Sequence, residues 1–312
     1  MEAGSLDPQG PAAESMADLW WLMLGLGVAV FVVFAVVLAV GLFRRRPPEA
    51  PEPGTEGPGG FSAWMIGGGV AVPLAVIAIV FAATVHAMRE VPTTAPAGAL
   101  VIEIVGHQWW WEVHYPEERI TTANEVHIPV GRSIAVRLTS ADVIHSFWVP
   151  ELGGKMDMLP DGTNTLVLQA DEPGEHVSRC AEFCGLQHTL MGMVVVAEPQ
   201  ERFDSWVAAR RQPAAEPSDG RARRGQEVFL GAGRCAQCHA VRGTAAAGAS
   251  GPDLTHFASR PTLGAGPVAN TRENRAEWVA DPHTIKRGVA MPATELSAED
   301  LDAVLAYLGA LR

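Results

Sequence analysis

The sequence predicts a multidomain membrane protein, in which a two-helix transmembrane hairpin precedes a β-domain and an all-α domain. Three observations predict this architecture. Two long uncharged apolar runs lie near the N-terminus, at residues 19–43 and 64–85. Short runs of alternating polarity fill residues 95–200. Apolar residues at helical spacing recur in residues 222–312.

Both apolar runs are long enough to cross a membrane, because each exceeds the ~20 residues that span about 30 Å of hydrocarbon. The first is too long for the apolar region of a signal peptide, which is about 7–15 residues, and three arginines follow it directly. Because basic residues mark the cytoplasmic side, we expect the N-terminus and the chain after His86 on the periplasmic side of a bacterial inner membrane. The predicted segments are a lead at 1–18, a span at 19–43, a cytoplasmic loop at 44–63 and a span at 64–88.

The remaining chain is predicted to form a β-domain at 95–200, a short helix and linker at 201–221, and an α-domain at 222–312. Several short strands separated by turns indicate a β-sandwich or barrel. The linker contains proline and Ser-Asp-Gly, which predicts a flexible connection. The predicted strands are Val101–Val105, Glu125–Val130, Ile134–Thr139, Ser146–Val149, Thr165–Ala170 and Met191–Ala197. The predicted helices are Glu201–Arg211, Arg223–Leu230, Arg272–Val279 and Ser297–Leu311.

The charge balance excludes one class of partner. The net charge is −12 and the pI is about 5.3. Nucleic-acid binding requires clustered lysine and arginine, so we expect no nucleic-acid partner. A basic protein such as a soluble cytochrome fits this charge better.

The run C-A-E-F-C-G-L-Q-H-T-L-M, from Cys180 to Met191, has the residue types of a copper site. Soft thiolates, imidazole and thioether select copper over hard cations. Two cysteines can each bridge two metal ions, so the run predicts a dinuclear copper centre with one histidine per copper. A second histidine must come from elsewhere, and the one in T-S-A-D-V-I-H-S-F-W-V-P is the best candidate. The predicted ligands are His145, Cys180, Cys184, His188, Met191 and the backbone carbonyl of Glu182.

Three other interpretations of this run are weaker. A disulfide has no use for the histidine and methionine that follow the cysteines. A mononuclear blue-copper site would leave one cysteine without a role, and a zinc site would leave Met191 without one. The other histidines of the β-domain are interpreted as surface or structural groups; they are His107, His114, His127 and His176.

The run C-A-Q-C-H, from Cys235 to His239, is the attachment signature of a c-type haem. Cys235 and Cys238 would form the thioethers, and His239 would be the proximal iron ligand. The sixth ligand should be a sulfur if the potential is high, which favours Met291, followed by a proline. The rival sixth ligands are His256 and His283.

Residues 1–200 resemble subunit II of a haem-copper cytochrome c oxidase. The matching features are L-D-P-Q-G-P near the start, the two spans, G-H-Q-W-W-W at 106–111, the His145 segment and the copper run. The resemblance implies a cupredoxin-like Greek-key β-barrel. It also implies that Trp109 accepts electrons at a docking surface, and that the side chain of Glu182 reaches a magnesium ion at the boundary with subunit I. Trp110 and Trp111 can be interpreted as aromatic residues of the core or of an interface.

The sequence departs from this family in two places. The family often has a glutamate near the start of the second span, which serves proton uptake, but Phe61–Met65 contains none. That role is therefore not carried over. The family's D-x-x-P-G-R reads D-M-L-P-D-G from Asp157 to Gly162, so the expected arginine contact is missing.

Residues 222–312 resemble a class I cytochrome c domain, through G-Q-E-V-F, G-P-D-L-T, W-V-A-D-P-H-T-I-K and the final helix. The whole chain thus resembles a subunit II with a fused cytochrome c, the caa type. The resemblance implies electron transfer from an external donor, such as a cytochrome c, through haem c and the copper centre to haem a in subunit I. Oxygen reduction and proton translocation are then expected outside this chain, in a membrane complex that also contains subunit III.

Three other functions fit the sequence less well. A quinol oxidase subunit II lacks the copper cysteines, which this chain has. A nitrous-oxide reductase needs a large propeller domain and has no membrane hairpin. A free-standing electron carrier or copper-delivery protein needs one anchor, whereas this chain has two spans.

Overall fold

The computed structural model describes residue 4 and residues 6–44 and 66–312. The chain divides into two compact units, one of Glu14–Val91 and the other of Met1–Ala13 with Pro92–Arg312. The stretch without the glutamate, Phe61–Met65, lies outside the described residues.

Two long apolar helices form most of the first unit. Helix α1 covers Pro11–Phe43. A π-helical turn at Gly67–Ala71 leads into α2 at Val72–Glu90. Both are long and apolar enough to span a membrane. Helix α1 begins at Pro11 rather than Leu19, because proline is favoured at the first helical position and good helix formers follow it.

The β-domain consists of two five-stranded sheets, in the orders β3-β2-β1-β5-β8 and β4-β10-β9-β6-β7. The apolar residues of both sheets face one core, which includes Ile104, Trp111 and Val195. This arrangement agrees with the expected cupredoxin-like barrel. The strands are β1 Val101–His107, β2 Trp110–Tyr115, β3 Ile120–Ala123, β4 Glu125–Pro129, β5 Ile134–Ser140, β6 His145–Trp148, β7 Met156–Met158, β8 Asn164–Leu168, β9 Gly174–Cys180 and β10 Gly192–Glu198.

Four of these strands, β2, β3, β7 and β9, were not predicted from the sequence. Strand β9 shows why: its inward-facing residues include His176 and Ser178, which are buried but polar. Apolar periodicity is the main sequence signal for a strand, so a strand with a polar buried face gives none.

Helix α3 at Gln200–Arg210 leads to the last domain, whose main helices are α4 at Gly220–Leu230, α5 at Arg272–Ala280 and α6 at Ala298–Ala310. Short 3-10 turns lie at His188–Leu190, Cys235–Gln237, Phe257–Ser259 and Pro282–Thr284. Ser297 is the N-cap of α6, because its side chain accepts a hydrogen bond from the Asp300 amide. A small hairpin, β11 at Thr262–Leu263 and β12 at Val268–Ala269, adds to the expected all-α domain.

Helices α4 and α6 cross at a glycine. A Cβ added at Gly225 would lie 1.9 Å from the carbonyl oxygen of Ala303. This distance is far inside van der Waals contact, so the crossing needs a residue without a side chain. The core around the crossing includes Val228, Phe229 and Tyr307.

Candidate copper and haem centres

Two buried thiols lie at the end of β9 and in the loop that follows it. The sulfur atoms of Cys180 and Cys184 are 3.7 Å apart. The Cys180 amide donates to the carbonyl of Met191, and the Ala181 amide donates to the carbonyl of Ser146. The start of this loop is therefore fastened to both neighbouring strand ends, which fixes the position of Cys180.

Each thiol has its own histidine. His145, at the start of β6, is fully buried, and its Nδ1 lies 3.9 Å from Cys180 Sγ. Nδ1 of His188 lies 3.6 Å from Cys184 Sγ. Ligand atoms of His145, Cys180 and Cys184 all lie within 4.8 Å of one another. The structure thus brings together His145 and Cys180, which are 35 residues apart in the sequence.

Each thiol also has one weaker ligand nearby. The thioether sulfur of Met191 lies 3.9 Å from Cys184 Sγ, and the carbonyl oxygen of Glu182 lies 3.3 Å from Cys180 Sγ. All six predicted ligands are therefore close together, and they divide into two similar halves. Thiolate, imidazole and thioether form a soft donor set that fits copper.

The ring of His145 is oriented by its second nitrogen. Nε2 lies 2.8 Å from Oδ1 of Asp142, so Nε2 carries the hydrogen and Nδ1 keeps its lone pair for a metal. The ring also packs tightly on Gly106, where an added Cβ would lie 2.8 Å from His145 Cδ2. The glycine of G-H-Q-W-W-W is required by this close approach, a role that the sequence did not reveal.

The two thiols titrate as a pair. Their direct contact lowers the pKa of Cys180, because a thiolate there accepts from the thiol that Cys184 keeps. The same contact raises the pKa of Cys184. One proton therefore leaves easily and the other is retained, and a metal ion that binds both sulfurs must displace the second.

Trp109 lies between the copper ligands and the last domain. Its indole nitrogen donates to the carbonyl of Cys184 at 3.0 Å. A Cβ added at Gly288, in the last domain, would lie 3.9 Å from the Trp109 ring. Trp109 is 9% exposed. The residue that was expected at a docking surface is thus covered by this chain's own last domain.

The two neighbouring tryptophans have separate surroundings. Trp111 is fully buried in the core of the β-domain. Trp110 stacks on His107, with ring centroids 4.2 Å apart. The interpretation of both as structural aromatics agrees with these contacts.

The proximal histidine of the haem run is held ready for a metal. Nδ1 of His239 lies 2.8 Å from the carbonyl oxygen of Pro252, to which it donates. Nε2 is then free to bind iron. Burial lowers the pKa of His239, which favours the neutral ring that a metal needs. All four cysteines are described and free, with Cys235 half-buried and Cys238 exposed.

The rival sixth ligands are engaged elsewhere. Nδ1 of His256 is 2.9 Å from the carbonyl of Arg312, and its Nε2 is 3.1 Å from that of Gln212. Nδ1 of His283 accepts from the Gly288 amide at 3.2 Å. Met291 is half-buried in a segment without helix or strand. These contacts leave the methionine as the better candidate.

The remaining histidines of the β-domain each contact a carboxylate. His107 and His114 share Glu112, at 3.1 and 3.4 Å. The other two pairs are His127 with Glu198 at 2.8 Å and His176 with Glu151 at 2.7 Å. These contacts agree with the expected structural roles.

The buried cation Lys286 could not be predicted from the sequence. Lys286 is 1% exposed, and its amino group donates to three backbone carbonyls. It stands inside the run W-V-A-D-P-H-T-I-K, where nothing distinguishes it from a surface lysine. Asp142 likewise has no feature in the sequence that distinguishes it from a surface aspartate.

The chain matches two family models. One, described as cytochrome C oxidase subunit II, periplasmic domain, matches residues 118–198. The other, cytochrome c, matches residues 222–312. Together they cover the β-domain from β3 onward and the whole last domain.

Two curated relatives match almost the full length of this chain, and a third matches about two thirds of it. Cytochrome c oxidase subunit 2 of Alkalihalophilus pseudofirmus is 35% identical over 99% of this chain and 90% of its own length. The protein of the same name from Bacillus subtilis is 29% identical over 99% and 91%. Quinol oxidase subunit 2 of Bacillus cereus is 35% identical over 67% of this chain and 73% of its own length.

Among solved structures, the periplasmic domain of subunit II of cytochrome oxidase from Bradyrhizobium japonicum is 30% identical. It covers 38% of this chain and 97% of its own, with a TM-score of 0.37. The family implies copper and haem, and it implies partnership with the catalytic subunit of the oxidase. With relatives of the same arrangement along its whole length, the chain belongs to the cytochrome c oxidase subunit II family, in the form that carries a fused cytochrome c domain.

Proposed function

We propose that this chain relays electrons from an external donor through a covalent haem c and a dinuclear copper centre to haem a in subunit I. Oxygen would be reduced to water there, with proton translocation. The observation that carries the proposal is the division of the six copper-site ligands into two matched halves around the Cys180–Cys184 pair. A mononuclear site would not need the second half.

The residues that would hold copper are Cys180 and Cys184, with His145, His188, Met191 and the backbone carbonyl of Glu182. Copper held by them would supply one-electron acceptance. The chain itself contributes the buried setting and the fixed orientation of His145 through Asp142. A ligand set held by packing keeps reorganisation small.

The residues that would hold haem are Cys235 and Cys238 through thioether bonds, with His239 and Met291 as the iron ligands. Methionine opposite histidine raises the potential of a haem, which suits donation to copper. The Pro252 carbonyl fixes the tautomer of His239 that can bind iron. Trp109 contacts the backbone of Cys184 and also faces the haem domain, so it lies in the region that an electron must cross.

We further propose the cellular setting. The two apolar helices would anchor the chain in the lipid of a bacterial inner membrane, with the N-terminus and both redox domains on the periplasmic side. Subunits I and III would be its membrane partners, and a cytochrome c or an equivalent protein the external donor. Glu182 would offer its side chain to magnesium at the boundary with subunit I.

A low-temperature electron paramagnetic resonance spectrum of the full chain, purified in detergent and loaded with copper and haem, tests the relay. We expect hyperfine splitting from one electron shared over two coppers, with one low-spin haem per chain. Cys184→Ser should abolish the shared signal and leave the haem spectrum unchanged. Splitting from a single copper in the unaltered chain would refute the dinuclear centre and favour copper delivery instead.

A further inference from the structure

The haem domain inserts a hairpin tip into the copper domain. The tip, Gly264–Gly266, has three consecutive residues with positive φ. Its central residue, Ala265, is 1% exposed and belongs to the hydrophobic core of the copper domain. The carbonyl of Ala265 accepts from the Gly192 amide at 2.8 Å. The tip is therefore packed and hydrogen-bonded like an interior part of the neighbouring domain.

Lys286 fastens this tip to both loops of the copper site. Its amino group donates to the carbonyls of Trp109 at 2.7 Å, Leu190 at 2.6 Å and Gly264 at 2.6 Å. Trp109 contacts Cys184, and Leu190 directly precedes the copper ligand Met191. A lysine ammonium has three hydrogens and no acceptor, so the three carbonyls satisfy it completely.

We propose that Lys286 is a positioning residue, which holds the haem domain in a fixed place on the copper domain and so sets the path from haem to copper. The proposal rests on the proposed function, because it concerns transfer between those two centres. Hydrogen bonds to a charged group are about twice as strong as neutral ones. Three such bonds from one buried group therefore hold the two domains more firmly than three neutral hydrogen bonds would.

Burial and hydrogen bonding act in opposite directions on the protonation of Lys286. Burial lowers the pKa of Lys286 to about 7. A neutral amine has two hydrogens and would leave one of the three buried carbonyls without a partner, which is costly. The three short contacts therefore favour the ammonium in the assembled structure.

The linker is also held by hydrogen bonds, whereas the sequence predicts a flexible connection. The Ala214 amide donates to the carbonyl of Arg242 at 2.9 Å, and the Arg242 side chain donates to the carbonyl of Gln212 at 2.9 Å. Across the contact, the Gln187 side chain donates to the carbonyl of Arg287 at 2.7 Å. Undocking of the haem domain would break the Gln187–Arg287 bond together with those of Lys286.

The first test replaces the amino group and keeps the stem, in Lys286→Met of the full chain assembled in its oxidase. Hydrogen exchange of the peptide that contains Gly192 reports the contact without involving copper or haem. We expect this amide to exchange at least about tenfold faster, since one charged hydrogen bond already accounts for that factor. The matched control is Arg287→Met, which removes the neighbouring exposed charge and leaves the backbone contact in place.

The second measurement is the rate at which one electron leaves photoreduced haem and reaches oxidised copper within the same chain. We expect Lys286→Met to slow this step about tenfold or more, with the copper resonance and haem absorption unchanged. Ala265→Glu should do the same, because it places a carboxylate in the copper-domain core. Agreement of both variants would exclude a local effect of the lysine alone.

Wild-type exchange and wild-type transfer rates in Lys286→Met would overturn the role of Lys286. Unchanged exchange in Ala265→Glu as well would overturn the fixed contact itself. A single-copper signal in the unaltered chain would overturn the proposed function instead, and hydrogen exchange would still decide whether Lys286 holds the two domains together.

Discussion

The candidate copper ligands and the candidate haem-binding residues lie in one compact unit, but they are assembled in different ways. The haem run is local: the His239 amide donates to the carbonyl of Cys235 at 3.0 Å, within one turn of chain. The copper set is not local. Phe147 pairs with Cys180 across β6 and β9, and this register brings His145 to the thiols.

The two cysteine pairs also differ in burial. Cys180 and Cys184 are buried, whereas Cys235 is half-buried and Cys238 is exposed. Thioether formation needs thiols that a haem can reach, while a thiolate pair for copper needs fixed geometry and little water. A covalent cofactor site can therefore rest on a short sequence motif. A site held by coordination alone depends on strands that are distant in sequence and adjacent in the sheet.

The largest expected effect is a loss of stability of the haem domain, which should leave the copper site folded. In Gly225→Ala, the new methyl group would meet the Ala303 carbonyl at 1.9 Å, so α4 and α6 must move apart. Because overpacking typically costs about 1–3 kcal/mol, we expect a loss near the upper value. Denaturant unfolding followed by haem absorption measures it.

The matched control for this change is Gly220→Ala, which lies at the exposed start of the same helix with no atom within 4 Å of the new Cβ. It should unfold like the unaltered chain. The copper resonance should persist in Gly225→Ala at denaturant concentrations that already unfold the haem domain. A simultaneous loss of copper at low denaturant would show that the two sites are not independent.

An intermediate effect is expected at the residue that orients His145. Asp142→Ala removes the acceptor 2.8 Å from Nε2, so the ring loses its fixed tautomer. Loss of such a partner typically lowers metal affinity about 10–100-fold. Competition with a copper chelator measures the affinity, and haem content should not change. Asp161→Ala, at an exposed carboxyl of the same domain, is the control, and equal losses in both variants would exclude a specific role for Asp142.

The smallest effect concerns histidines that lie outside both centres. Hydrogen bonds with His107 and His114 lower the pKa of Glu112 to about 2, and Glu112 raises the pKa of His114. The lowered carboxyl pKa stabilises the fold above its ordinary value of 4.5 and ceases to do so as the pH falls toward 2. The raised histidine pKa stabilises the fold below its ordinary value of 6.5, an effect that is lost as the pH rises through the folded value.

We therefore expect Glu112→Gln to lower the melting temperature more at about pH 5.5 than at about pH 8.5, with a cost of ~1 kcal/mol or less. Glu117→Gln, at an exposed carboxyl on the turn after β2, should show no such difference. A larger loss at the higher pH would contradict the assigned direction of the His114 shift.

Particular residues show how far the sequence could be interpreted. The runs Cys235–His239 and Cys180–Met191 predict most of their candidate ligands by residue type and spacing, because both are local patterns in the sequence. His145 was assigned from its place before a predicted strand, and the β6–β9 pairing explains why it reaches the thiols. The strand β9 itself was missed, since its buried face carries polar residues.

The sequence by itself predicted the two apolar spans, the domain order, copper and haem as cofactors, and the candidate residues that would hold them. These follow from composition, period and spacing, which are local properties of a chain. Only the tertiary structure decided that Trp109 is covered by the haem domain, that Gly106 makes room for His145, and that Lys286 is buried between three carbonyls. Each of these depends on which distant backbone atoms meet, and that is set by packing between sheets and domains rather than by neighbours in sequence.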